Sequence, residues 1–221
     1  MSKHDHPSIE TFWKWFSKNE KRYRNIVFVE DENEQQELLV EVLGYLNEYN
    51  PELYIEFDND SETDKHILTI TANGMEGFIE AAEILADSAP EIDGWEIQAL
   101  KQPNSEPFTL DLETGKIESS AVLAEPLSRD DNPGRLGIKL FIKDVNKLSE
   151  DPYFSSAIYT LVETVIGEKS LAKDISILQV AKENETCVEA HCIPLMELTS
   201  FIKDYKLSLK ESAHQNHDKT S

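Results

Sequence analysis

The sequence predicts an α+β protein, with two strand–helix–strand units forming mixed or antiparallel sheet and helices packed on one face. Two stretches carry that expectation. In residues 67–101, a β-branched run (Ile67, Leu68, Thr69, Ile70, Thr71) stops at Asn73-Gly74, where both residues tolerate positive φ. Met75, Phe78, Ile79, Ala82, Leu85 and Ala86 then recur at helical spacing, and Trp95, Ile97 and Ala99 alternate on a following strand. In residues 136–180, Leu136, Ile138, Leu140 and Ile142 alternate strictly, an apolar helical stripe runs from Phe154 to Val165, and residues 175–180 return as a strand. The two stretches match in element order and not in residue identity.

The other elements follow in order. Residues 1–8 read as a disordered start. Ile9, Phe12, Trp13 and Phe16 form one aromatic face of a first helix, read as core rather than ligand site. A second helix carries Leu38, Leu39, Val42, Leu43 and Leu46 and ends at Asn50-Pro51. Residues 53–57 make a short strand, and residues 58–65 a polar hairpin loop. QPNSEP, residues 102–107, marks a subdivision of what otherwise reads as one body over residues 9–206. Short strands are expected at 108–112 and 119–124, and residues 128–135 form a turn. Asp151-Pro152 predicts a helix start, with the acid as N-cap and proline in the first turn. Gly167 suits that helix's C-terminus. Residues 186–193 read as a last strand, Leu195, Leu198, Ile202 and Tyr205 as one side of a terminal helix, and residues 207–221 as a disordered tail.

Charge narrows the function. There are 43 acidic side chains against 21 basic ones, a net charge of −22. That sign repels nucleic-acid phosphate and anionic membrane surfaces, and it attracts basic partners. No apolar run approaches the ~20 residues of a membrane-spanning helix, and MSKHDHPSIE lacks a signal-peptide core. The expected compartment is the cytoplasm, and two cysteines agree with reducing conditions.

No motif assigns a chemistry. Cys187, His191 and Cys192 suggest metal ligands, but strand alternation over this stretch would put the two thiols on opposite faces. Asp58, Asp60, Glu62 and Asp64 alternate as in a calcium loop, yet Thr63 and Thr69 stand where an EF-hand needs glycine and glutamate. His4, His6, His214 and His217 fall in the expected tails, and His66 has no evident partner. Nucleophile-elbow, dinucleotide and P-loop glycine patterns are absent. No metal site and no cofactor is expected.

At residues 12–16 (FWKWF), 69–74 (TITANG), 89–103 (APEIDGWEIQALKQP) and 165–180 (VIGEKSLAKDISILQV), the chain resembles a family of uncharacterised cytosolic bacterial proteins common in Bacteroidetes. The resemblance spans most of residues 9–206 and implies an α+β fold and a bacterial origin, with no assigned activity. Lys169 and Ser170 stand where the related chains would carry a tyrosine and an acid.

The functional expectation is a non-catalytic, acidic binding or inhibitory protein, immunity-like, for a basic protein partner. Glu30, Asp31, Glu32, Glu34 and Glu37 are its densest acidic patch. Acids at a helix N-terminus are also favoured by the helix dipole alone. The alternative is an enzyme or small-ligand sensor whose site is assembled from distant residues, with Trp13, Trp15, Tyr23, Trp95 and Tyr159 as candidate lining.

Overall fold

A computed structural model describes residues 7–60, 63–128, 132–188 and 190–218, and the fold is α+β. The chain divides into two units, Met1–Lys101 and Gln102–Ser221. The boundary falls at the start of QPNSEP.

In the first unit, α1 (Pro7–Tyr23) and α2 (Glu32–Tyr49) precede the sheet. Ile9, Phe12, Trp13 and Phe16 of α1 are buried, as their spacing requires of a core-facing stripe. The strands β1 (Tyr54–Asp60) and β2 (Lys65–Thr71) pair antiparallel. β1 therefore runs three residues into the expected polar loop, with Asp58 opposite Ile67 and Asp60 opposite Lys65. A helix α3 (Ile79–Asp87) then crosses over to β3 (Trp95–Ala99), which lies parallel to β2. Ile79, Ala82 and Leu85 are its buried face. The turn before it, Glu76–Phe78, is a 3₁₀ helix, where Gly77 weakens the α-helical preference expected from Met75 onward.

Buried polar groups tie α1 to this sheet. The Trp13 indole N–H donates to the Leu85 carbonyl of α3 at 2.9 Å. The Trp95 indole N–H donates to Glu20 Oε2 of α1 at 2.9 Å. Arg24 Nε donates to the same oxygen at 2.6 Å, and its Nη2 also reaches Glu20 Oε1 and the Asp93 carbonyl, each at 3.1 Å. Burial pushes the Glu20 carboxyl upward, but the hydrogen bonds from Arg24 and Trp95 outweigh it and leave it below the usual range.

The second unit opens with a hairpin, β4 (Thr109–Leu112) and β5 (Gly115–Glu118). Buried Ser119 closes it: its Oγ accepts the Phe108 N–H at 2.9 Å, and its own N–H donates to the Phe108 carbonyl at 2.9 Å. The strand expected over 119–124 is a 3₁₀ turn, Ser119–Ala121, followed by β6 (Leu123–Leu127). β6 pairs antiparallel with β7 (Leu136–Phe141). The short α4 (Val145–Leu148) and two further helices, α5 (Phe154–Ile166) and α6 (Glu168–Asp174), cross over to β8 (Ile175–Val180), parallel to β7. A two-residue β9 (Ile193–Pro194) pairs antiparallel with the outer side of β6. The helix α7 (Leu198–Asp218) closes the unit. Its Leu198 and Ile202 join a core with Ile138, Leu140, Leu161 and Val162.

Several expectations are corrected here. Asp151 is not the N-cap of α5. Its buried carboxylate accepts the N–H groups of Glu113 and Tyr153 at 2.8 Å, pinning the β4–β5 turn, and α5 starts later, at Phe154. Gly167 does end α5, at φ +80°, and its left-handed turn lets the chain re-enter a helix at once, so α6 precedes β8. The chain is helical to Asp218, so the stretch from residue 207 is not a disordered tail up to that point. Of the expected disordered start, residues 1–6 lie outside the described residues, while Pro7 already opens α1.

The two sheets share one frame. Ile70 pairs with Ile55 and Ala99, and its carbonyl accepts the Leu100 N–H at 2.7 Å. Leu140 pairs with Ala124 and Val180, and its carbonyl accepts the Ala181 N–H at 2.8 Å. β1, β2 and β3 thus correspond to β6, β7 and β8. In that correspondence Glu56 matches Glu125 and Gln98 matches Gln179. Gly74 (φ +76°) and Asp144 (φ +57°) make the left-handed turn at the same place after the central strand.

All three tryptophans (Trp13, Trp15 and Trp95) lie in the first unit, so tryptophan fluorescence reports its unfolding. Leu85→Ala removes a fully buried side chain from α3 and should cost about 2–5 kcal/mol in urea titrations read this way. Asp87→Ala, at an exposed position of the same helix, should change stability by no more than about 0.5 kcal/mol. Equal small effects would place the buried face of α3 elsewhere.

Candidate functional site

The acidic patch sits where the 3₁₀ turn Ile26–Phe28 meets the start of α2. Gln35 of α2 reaches back, its Nε2 donating to the Ile26 carbonyl at 2.9 Å, which fixes that turn against the helix. Asp31 is the N-cap: its Oδ1 accepts the N–H groups of Asn33 at 2.9 Å and Glu34 at 3.4 Å. One of the five predicted acids therefore has a structural task. Glu30, Glu32, Glu34 and Glu37 are exposed and have no ion-pair partner among the described residues. One turn further, Glu41 is neutralised by Arg22 at 2.8 Å.

Apolar side chains stand out beside these carboxylates. Phe28 is 70% exposed and Val40 62%. A contiguous apolar patch rimmed by polar groups marks an interaction surface, whereas a single exposed apolar side chain is common. Two depressions flank α2. One, of about 430 Å³, is lined by Asn33, Gln36, Glu37, Val40 and Glu41. The other, of about 370 Å³, lies between the 3₁₀ turn, α2 and β1, lined by Ile26, Val27, Gln35, Leu39, Ile55, Glu56 and Phe57. The sequence signal for this apolar part is the run Ile26-Val27-Phe28-Val29, too short for a helix and directly before the acids. Composition alone does not say that its aromatic member points outward.

None of the aromatic residues weighed as pocket lining borders the two depressions beside α2. Trp13, Tyr23 and Trp95 are buried. Trp15 stacks on Tyr45 with centroids 4.2 Å apart, and Tyr23 stacks on Phe57 at 5.5 Å. Tyr159 belongs to the second unit. The Tyr23 hydroxyl is the buried side-chain polar atom left without a hydrogen-bond partner among the described residues. Burial, then the Glu41 charge, push its pKa up to about 12, so the phenol stays neutral at physiological pH.

The cysteine stretch departs from expectation. Residues 186–188 and 190–192 are not a strand, and β9 is confined to Ile193–Pro194. Without strand alternation the chain turns, and Cys187 and Cys192 approach to 6.1 Å between Cα atoms and are joined by a disulfide. The expectation of two thiols on opposite faces is overturned. His191 Nδ1 lies 4.0 Å from Glu125 Oε1. Among the described residues no group of three or more His, Cys, Asp or Glu could hold a metal ion. Asp58 and Asp60 belong to β1, Thr63 donates to Asp60, and Asp64 turns at φ +56°. Glu62 lies outside the described residues, as do His4 and His6. His66 does have partners: Nδ1 is 2.6 Å from Asn59 Oδ1, and the ring packs on Trp95. No helix among the described residues is long and apolar enough to cross a membrane.

No family model matches the chain, and neither curated proteins nor solved structures show a match.

The disulfide carries its own test. Thiol titration of the denatured, unreduced protein should find no free cysteine. Reduction should lower stability by about 2 kcal/mol, the value for closing so short a loop. Two titratable thiols before reduction would remove the bond.

Proposed function

We propose that this is a non-catalytic acidic binding protein that recognises a basic protein partner through the surface formed by the 3₁₀ turn and α2. The observation that carries the reading is Phe28, 70% exposed and placed next to unpaired carboxylates. Charge alone would make this a solvated helix start. An exposed aromatic beside it supplies the apolar anchor that interfaces centre on. The carboxylates supply attraction and orientation.

The net charge of −22 supports the same partner class and opposes nucleic acid and anionic membranes. An inhibitory, immunity-like role fits a protein that would act by covering a basic surface. The resemblance at residues 89–103 adds a bacterial setting to this proposal, while the Cys187–Cys192 disulfide withdraws the thiol support for a reducing compartment. The alternative, an enzyme or sensor with a site assembled from distant residues, is disfavoured at Trp13, Tyr23 and Trp95, which are core, while Tyr159 is 42% exposed.

The test is kinetic. With a partner captured from the native source, association should slow steeply as salt rises, because steering is screened beyond about 8 Å at physiological ionic strength. Replacing Glu30, Glu32, Glu34 and Glu37 with glutamine should flatten that salt dependence. Phe28→Ala should act mainly on dissociation, raising its rate by about tenfold or more. A partner that is itself acidic, or association indifferent to salt, would contradict the proposal.

A further inference from the structure

The shared frame of the two units exposes a difference. In the second unit the sheet order is β8-β7-β6-β9, with β9 laid antiparallel against the outer side of β6. In the first unit the order is β1-β2-β3, and β1, the counterpart of β6, is an edge strand. β9 pairs with Leu123 and Ala124, whose counterparts in β1 are Tyr54 and Ile55. Among the described residues, the place that β9 fills on β6 holds no strand on β1.

That place overlaps the 370 Å³ groove at Ile55, and the groove continues along β1 to Phe57. Ile55, Glu56 and Phe57 are consecutive, and their side chains alternate between faces. All three line the groove, so it runs along the strand's edge and not over one face. Its far wall is Val27 and Leu39. We infer that β1 accepts an extended segment of the basic partner as a fourth, antiparallel strand, seated in this groove. This rests on the proposed function and specifies how the partner is held.

The edge also dictates the side-chain pattern of the occupant. Ile55 and Phe57 turn to one face of β1, and Glu56, Asp58 and Asp60 to the other. A strand laid beside it gains from apolar residues next to Ile55 and Phe57 and from lysine or arginine next to Asp58, whereas Glu56 already pairs with Lys101 at 3.0 Å and Asp60 accepts from Thr63. Alternating basic and apolar residues meet both requirements. Backbone hydrogen bonds to an exposed edge give such complexes affinity, and the alternate side chains give selectivity. The acids have a second effect: they discourage edge-to-edge pairing of β1 with a copy of itself. A basic strand is thereby favoured over a second copy of this chain.

The test uses two blocked peptides of alternating lysine and valine, each as long as β1. In one, alternate backbone nitrogens are N-methylated, which leaves charge and composition intact and removes strand pairing. Binding to the full chain is measured by titration, and the site by amide hydrogen exchange of residues 54–58. The first peptide should bind, more weakly at high salt, and should slow exchange at alternate β1 amides. The methylated peptide should bind about tenfold or more weakly. Equal binding of both peptides, with β1 exchange unchanged, would overturn strand addition and leave the acidic-surface reading standing. Binding of neither would overturn both. Protection in the free chain of the β1 amides that point away from β2 would show the edge to be covered, and would overturn this inference alone.

Discussion

A buried carboxylate organises the first unit. Glu20 is 7% exposed, and such a charge persists in a protein interior only if donors replace its water. The donors come from two directions: Arg24 from the turn after α1, and Trp95 from the first residue of β3. Arg24 also holds the Asp93 carbonyl just before β3. The crossover strand cannot shift along α1 without stranding the charge. Trp13 makes the matching bond to the end of α3. The helix layer and the crossover are thus keyed to each other at the last turn of α3 and again where β3 begins. Aromatic packing fills the space between, with Phe16 edge-on to Trp95 at 5.2 Å.

This clamp occupies the β3 side of the sheet. β1 is held by β2 across its inner edge, and α2 and the 3₁₀ turn pack beside it without pairing to it. The second unit solves the same problem differently, because β9 returns to pair with the outer edge of β6. One frame therefore appears with its edge filled and with its edge open. The open edge lies beside the exposed Phe28 and the carboxylates of α2. Attraction, an apolar anchor and a pairing edge sit within one unit.

Much of this frame is legible in the sequence, because periodicity reports burial. Ile9, Phe12, Trp13 and Phe16 announce a buried helix face, and Ile138 and Leu140 a buried strand. What stays hidden depends on contacts distant in the chain. The Asp151-Pro152 pair has the composition of a helix cap, but its carboxylate is taken by Glu113, 38 positions away. The residues from Cys187 to Cys192 alternate plausibly as a strand, and the covalent link between them imposes a turn instead. For the candidate site, the five acids are visible as a run, while the exposure of Phe28 and the vacancy beside β1 are not. Both are properties of neighbours that no local pattern encodes. Glu20 is the plainest case, since nothing around it in sequence distinguishes it from the other acids.

The most direct measurement is the pH dependence of unfolding for the natural chain and for Glu20→Gln, followed by tryptophan fluorescence. Glu20 titrates below its ordinary value in the folded state, so the unfolded chain takes up its proton first as the solution is acidified. Its contribution is complete above the unfolded carboxyl value, about 4.3. It falls away as pH drops from there through the lowered folded value. The natural chain should therefore lose more stability than Glu20→Gln between about pH 5 and pH 3, and the two curves should converge in acid. Curves that run parallel across that window would mean that the Glu20–Arg24–Trp95 contact does not hold the unit together.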